Sequence, residues 1–71
     1  VGSWDSYYDV MEKDQEGNAL VGDVVAPNAK NSLAFSDSRL VALAGLEDTL
    51  VMETQDVVLI AKKATAKKIK N

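Results

Sequence analysis

Glu12, Asp14, Glu16, Gly17 and Asp23 fall near positions 1, 3, 5, 6 and 12 of a calcium-binding loop, so the first chemistry to weigh is oxygen ligation of a hard cation. The match is poor. Position 1 would be Glu instead of Asp, position 12 would be the short Asp23, and strand-forming residues follow where a second amphipathic helix should stand. These residues read as a plain helix-to-strand turn, and no metal is assigned to the chain. Ser3, Ser6, Ser32, Ser36 and Ser38 have no neighbouring base, and with no His and no Cys the chain lacks the commonest general base, the thiolate nucleophile and any disulfide. No residue is therefore assigned a catalytic role.

Three other groups invite binding chemistry. Lys62, Lys63, Lys67, Lys68 and Lys70 crowd the last ten positions and offer salt-sensitive attraction to phosphate. No aromatic residue is interleaved with them, the net charge is −3, and a solvated helix face is the better reading, which excludes nucleic acid as a partner. Trp4, Tyr7, Tyr8 and Met11 lie at i, i+3, i+4 and i+7. That stripe suits a sugar platform or, more commonly, a packed helix face. Arg39 is the only Arg and stands directly before Leu40 and Val41, where its guanidinium should pair with Asp37 or Glu47 at a corner of the chain.

The elements that must position these groups follow from the apolar pattern. A helix is expected from Trp4 to about Glu12, with Ser3 as its cap and Gly17-Asn18 beyond its end. Leu20-Val21 and Val24-Val25 form a short strand or a pair interrupted at Gly22, and Pro27 marks a corner. From Ser32 onward the pattern is β: Leu33-Ala34-Phe35, Leu40 to Leu46, Leu50 to Glu53 and Val57 to Ala61, in a weak repeat of about nine or ten residues. Parallel strands joined through helices need connections of roughly a dozen residues or more. These corners are shorter, so the runs form either an antiparallel meander or coils of a small β-solenoid. The continuous run Val57-Val58-Leu59-Ile60 implies burial on both faces. Ala64 to Lys70 should be a short helix.

At 71 residues the chain makes one small domain, and domains of this size bury only about 60% of their unfolded surface. All eleven acidic residues lie at or before Asp56, which separates the lysine-rich end as its own element. No apolar stretch approaches the roughly 20 residues that span a bilayer, and the start has no basic and apolar leader pattern. Cytoplasmic placement without a membrane partner is the expectation. The opening Val1 and the helical pattern at Lys70-Asn71 read as the ends of a piece cut from a longer protein.

The words Val1-Gly2-Ser3-Trp4, Gly17-Asn18, Gly22-Asp23-Val24-Val25, Lys30-Asn31-Ser32 and Ser38-Arg39-Leu40-Val41-Ala42 occur in an order that carries a family likeness. The chain resembles the segment that follows the nucleotidyltransferase domain in bacterial mannose-1-phosphate guanylyltransferases, particularly the long type fused to a mannose-6-phosphate isomerase. The resemblance implies a mainly β fold, with short coils of the left-handed parallel β-helix type between an N-terminal helix and a short C-terminal helix. It divides the chain into residues 1–23 as the end of the transferase domain, 24–62 as a β-helix-like linking domain, and 63–71 as a helix leading to a following domain of cupin fold. It further implies a parent that transfers GMP from GTP to mannose 1-phosphate with Mg²⁺, and a segment that is structural, assembling with the upstream domain and into homo-oligomers. Gly2 and Ser3 would be backbone at the rim of the parent's substrate site. Tyr7-Tyr8, where the family commonly has Leu-Trp, and Pro27-Asn28-Ala29 depart from its pattern. The reading that competes with this one is a free-standing β-rich interaction module.

Overall fold

The computed structural model describes residues 4–66. Helix α1 (Trp4–Val10) precedes strands β1 (Ala19–Val21), β2 (Val24–Val25), β3 (Leu33–Ser36), β4 (Val41–Ala42), β5 (Thr49–Glu53) and β6 (Val58–Lys62), and helix α2 (Lys63–Ala66) follows. β1, β3 and β5 pair in parallel, β2 pairs in parallel with β4, and a parallel bridge joins Lys30 to Glu47. Three sides of one winding chain are thus each stacked on their own next turn, which is a β-helix. β6 then folds back antiparallel on β5, giving the sheet order β1-β3-β5-β6. Both layouts that the short corners allow occur here, coils first and one hairpin last.

The register defines the coil. Ala19 stands beside Leu33 and Leu33 beside Leu50, so successive turns take 14 and then 17 residues. The spacing of nine or ten residues between apolar runs measures one side and one corner, because consecutive runs lie on different sides of the coil. Corners are made by residues in the left-handed backbone region, and these stack as the strands do. Gly17 (φ 81°), Asn31 (φ 53°) and Asp48 (φ 54°) occupy one corner in successive turns, while Asn28 (φ 60°) and Gly45 (φ 68°) occupy another. Gly, Asn and Asp are the residues that enter this region at least cost.

Side chains alternate across the stacked strands. Ala34 and Val51 point inward and form the coil interior with Ala29 and Leu43, flanked by Leu20, Val24, Ala26, Val41 and Leu46. Ala19, Leu33 and Leu50 point outward, where Tyr8 and Met11 of the α1 segment and Ala61 of β6 cover them. α1 is shorter than expected and stops at Val10. The chain must turn back to begin β1, and it does so in a loop closed by the Asp14 amide on the Asn18 carbonyl (2.9 Å) and the Gly17 amide on the Asp14 carbonyl (3.0 Å).

Two further expectations need correction. The run Leu40 to Leu46 holds only two strand residues, since the chain bends at Gly45; Leu40 is exposed, and Leu43 fills the interior. The run Val57 to Ile60 is not buried on both faces: Val58 is 56% and Ile60 66% exposed. β6 lies beyond the last turn of the coil, so the face carrying these two residues has no interior to pack against. β1 lies within residues 19–21, inside the span that the resemblance gave to the preceding domain, yet it pairs with β3 as part of the coil.

Candidate functional site

Polar chemistry collects at the two ends of the β1-β3-β5 stack. At the first end Asn18, Ser32 and Thr49 stand one residue before the aligned Ala19, Leu33 and Leu50, and all three are buried. Asn18 Nδ2 donates to the Ala29 carbonyl (2.8 Å) and to Asp14 Oδ2 (3.3 Å), while its Oδ1 accepts from the Ser32 amide (3.0 Å). Ser32 Oγ donates to the Lys30 carbonyl (3.0 Å) and accepts from the Thr49 amide (3.2 Å). The ladder satisfies backbone groups that the corners leave unpaired.

Asp14 supports this ladder from outside. Its carboxylate accepts the amides of Glu16 and Asn18, each at 2.9 Å, and the Asn18 backbone bond is the main reason its pKa lies below the usual carboxylate value. This is the function of the residue that the calcium-loop spacing singled out: it caps the turn into the coil. With Glu12, Lys13, Asn18 and Leu20 it lines a shallow cleft of about 310 Å³.

At the second end Glu53 points into the coil and is 1% exposed. The loop after β3 closes around it. Oε1 accepts the amides of Asp37 (3.0 Å) and Ser38 (2.9 Å), with the Arg39 amide at 3.4 Å. Oε2 accepts the Ser38 hydroxyl and stands 3.3 Å from Arg39 Nε. Ser36 donates its single hydroxyl proton to the Arg39 carbonyl, which tightens the same loop. Arg39 thus pairs with Glu53, not with Asp37 or Glu47, because the coil carries β5 beneath the 36–39 loop. Its side chain is 67% exposed, so the pair is held from the buried carboxylate outward.

These donors, chiefly the Ser38 hydroxyl and amide, outweigh the desolvation that opposes them and lower the Glu53 pKa from 4.5 to about 2. The geometry defines the part Ser38 plays in the coil: its amide and hydroxyl both donate to the Glu53 carboxylate. A folded-state pKa below the unfolded value means that Glu53 stabilises the fold above pH 4.5 and loses that contribution as pH falls toward about 2. Glu53→Gln should therefore melt at a lower temperature at neutral pH and show a shallower loss of stability between pH 4.5 and 2 than the parent. Thermal melts across that window test it; an unchanged acid limb would show that the carboxylate is not held as described.

A third cluster joins entry and exit of the coil. The Tyr8 hydroxyl donates to the Gly17 carbonyl, and Lys63 Nζ lies 3.7 Å from the centre of the Tyr8 ring while donating to the Asn31 carbonyl. Lys13 Nζ lies over the same ring at 4.7 Å. Desolvation, then the nearby carboxylate of Asp48, raises the Tyr8 pKa. Of the aromatic stripe, Tyr8 and Met11 pack on the sheet, whereas Tyr7 is exposed. Gly2 and Ser3, the residues expected at the rim of a substrate site, lie outside the described residues, as do Lys67, Lys68 and Lys70. Among the described residues no group of three or more His, Cys, Asp or Glu side chains could hold a metal ion.

The buried polar groups described above bond within the coil itself, so fold and site together define a small parallel β-helix whose turns are joined by buried polar residues. Comparison with known proteins gives the family. Residues 22–71 match the sequence model of the MannoseP isomerase/GMP-like β-helix domain, and the chain belongs to that family. It is 46% identical over 99% of its length to the xanthan biosynthesis protein XanB of Xanthomonas campestris pv. campestris strain B100. It is 42% identical over its whole length to the alginate biosynthesis protein AlgA of Pseudomonas aeruginosa PAO1, and 39% identical over 99% to mannose-1-phosphate guanylyltransferase 2 of Escherichia coli O157:H7. The chain spans 14–15% of the length of these relatives. The crystal structure described as mannose-1-phosphate geranyltransferase from Thermus thermophilus superposes with a TM-score of 0.80 at 27% identity, covering 96% of this chain and 21% of that one.

The Asn18-Ser32-Thr49 ladder and Glu53 are the residues that sequence reasoning missed. A signal for the first existed: Gly17-Asn18-Ala19, Asn31-Ser32-Leu33 and Asp48-Thr49-Leu50 each place a residue tolerant of positive φ before a small polar residue and an apolar one. Glu53 carried no such mark.

Proposed function

We propose that this chain is the β-helix segment of a mannose-1-phosphate guanylyltransferase, whose whole form transfers GMP from GTP to mannose 1-phosphate and releases GDP-mannose and pyrophosphate. The observation that carries the proposal is alignment over at least 99% of the chain with relatives bearing that enzyme's name or named for alginate and xanthan biosynthesis. The segment's own part is structural. Its buried Asn18, Ser32, Thr49 and Glu53 are engaged in holding turns of the coil together. Glu53 has both carboxylate oxygens engaged by N–H and O–H donors of the 37–39 loop, so it does not fit a Mg²⁺ site. GTP, Mg²⁺ and sugar phosphate belong, on this reading, to a domain upstream, in a cytoplasmic enzyme that assembles as a homo-oligomer. A following isomerase domain is compatible with the small fraction of the relatives' length that the chain occupies.

The test is pyrophosphate release from GTP and mannose 1-phosphate by the longer protein that carries this segment. Release is expected with mannose 1-phosphate and not with this 71-residue chain alone. Release with another sugar 1-phosphate only would remove the mannose assignment, and turnover by the segment alone would remove the structural reading.

A further inference from the structure

Gly17, Asn31 and Asp48 hold one corner of the coil in successive turns, and the bonds between turns pass their carbonyls by. The Asn31 amide donates to the Glu16 carbonyl and the Asp48 amide to the Lys30 carbonyl, each at 3.0 Å and each one residue before the corner of the preceding turn. The three corner carbonyls are met from outside the coil. Tyr8 of α1 donates its hydroxyl to Gly17, while Lys63, the first residue after β6, donates Nζ to Asn31 and its amide to Asp48 (2.8 Å). The two capping residues also meet each other, the Lys63 ammonium lying 3.7 Å from the centre of the Tyr8 ring. Lys13 lies over the same ring at 4.7 Å, but it belongs to the segment that carries Tyr8 and donates there, to the Asp9 and Met11 carbonyls.

We propose that Tyr8 and Lys63 form a clasp across this corner that makes the docking of α1 and the junction of β6 with α2 one cooperative unit, so that release of either end frees the other. Both ends are thinly held. Of the side chains from Ser6 to Met11 only Tyr8 and Met11 are partly buried, and β6 is the outermost strand of its sheet with Val58 and Ile60 exposed. Local opening begins at places with few buried contacts. A cation–π contact and a charge-assisted hydrogen bond between two such elements couple their openings, and the coupling is reciprocal. The ammonium is the switchable part. Neutralising it removes the ring contact and the charge on the Asn31 bond together. The clasp is built from this segment alone and stands whichever enzyme carries it.

Amide hydrogen exchange in the whole protein, read by mass spectrometry on peptides covering residues 4–11, 33–36 and 58–63, tests the clasp. Lys63→Met keeps the length of the side chain and removes its charge, and it should speed exchange about tenfold both at 58–63 and at 4–11. Tyr8→Leu keeps an apolar cover on the sheet and should do the same at both ends. The double variant should exchange no faster than the faster single one, because the two substitutions remove one shared interaction. Lys63→Arg, whose guanidinium still stacks on the ring and donates, should stay within about threefold of the parent. Exchange at 33–36, inside the coil, should be unchanged throughout. Acceleration confined to the substituted end overturns the proposal, since nothing is then held across the corner. So do additive effects in the double variant, and so does equal acceleration at 33–36, which would make Lys63 a support of the whole coil instead of a link between its ends.

Discussion

Leu43→Ala should unfold this domain, or come close to it. Leu43 is 1% exposed and fills the coil interior with Ala29, Ala34 and Val51, three neighbours too small or too rigid to close around a lost isobutyl group. Truncating a buried Leu costs about 2 to 5 kcal/mol, depending on how far the site can collapse. A single core in a chain of this size rarely supplies more than about 3 to 5 kcal/mol. The loss is comparable to the whole. Urea titration followed by circular dichroism should show the transition of Leu43→Ala shifted to the lowest concentrations or absent. Leu59→Ala serves as the contrast, because Leu59 sits on the outermost strand with more than a third of its surface exposed. Its midpoint should move little. Equal effects at 43 and 59 would mean that the interior lies elsewhere.

Gly22→Ala carries the second large effect, and it separates two reasons for a glycine. Gly22 has φ +86°, and a Cβ there would stand 2.2 Å from the Ser36 carbonyl oxygen, a backbone atom of the adjacent turn. Relief requires β1 and β3 to part. Gly45 also has positive φ, at +68°, but a Cβ there meets nothing within 4 Å. Gly45→Ala should cost only the backbone preference, about 1 to 2 kcal/mol, whereas Gly22→Ala should lower the melting midpoint by on the order of 10 °C or more. Gly45→Asn should be nearly neutral, because Asn28 already holds the same corner one turn earlier at φ 60°. Thermal melts of the three variants test this. A Gly22→Ala midpoint no lower than that of Gly45→Ala would contradict the stacking of turns at this point.

The coil was legible in part. Short corners excluded helical crossovers, and the runs at 33–35, 50–53 and 57–61 each contain or overlap a strand. What the runs concealed was which of them stack, since pairing skips from one turn to the next while apolar spacing reports only neighbouring sides. The corner residues Gly17, Asn31 and Asp48 held that information, through backbone conformation and not hydropathy. Val57 to Ile60 misled for a related reason. A β-branched apolar run in a short chain marks strand, but burial depends on whether a layer exists on each side, and β6 has only one. Glu53 was hidden because it closes the apolar run of β5 as an ordinary charged residue; the donors that bury it lie 14 to 16 positions earlier, at Asp37, Ser38 and Arg39. Arg39 stood out as the only Arg, but its partner is set by the coil and not by the neighbouring sequence.

If this segment holds structure and leaves the chemical step to other residues, its buried carboxylate should govern stability and not turnover. The most direct measurement introduces Glu53→Gln into the whole protein and compares kcat for pyrophosphate release, at a temperature where the variant is folded, with the midpoint of thermal inactivation. The expected result is kcat within about twofold of the parent, since an interaction absent from the transition state leaves kcat unchanged, and an inactivation midpoint lower by several degrees. A kcat reduced by orders of magnitude at an unchanged midpoint would contradict the structural role, placing Glu53 and its loop in the reaction instead of in the frame.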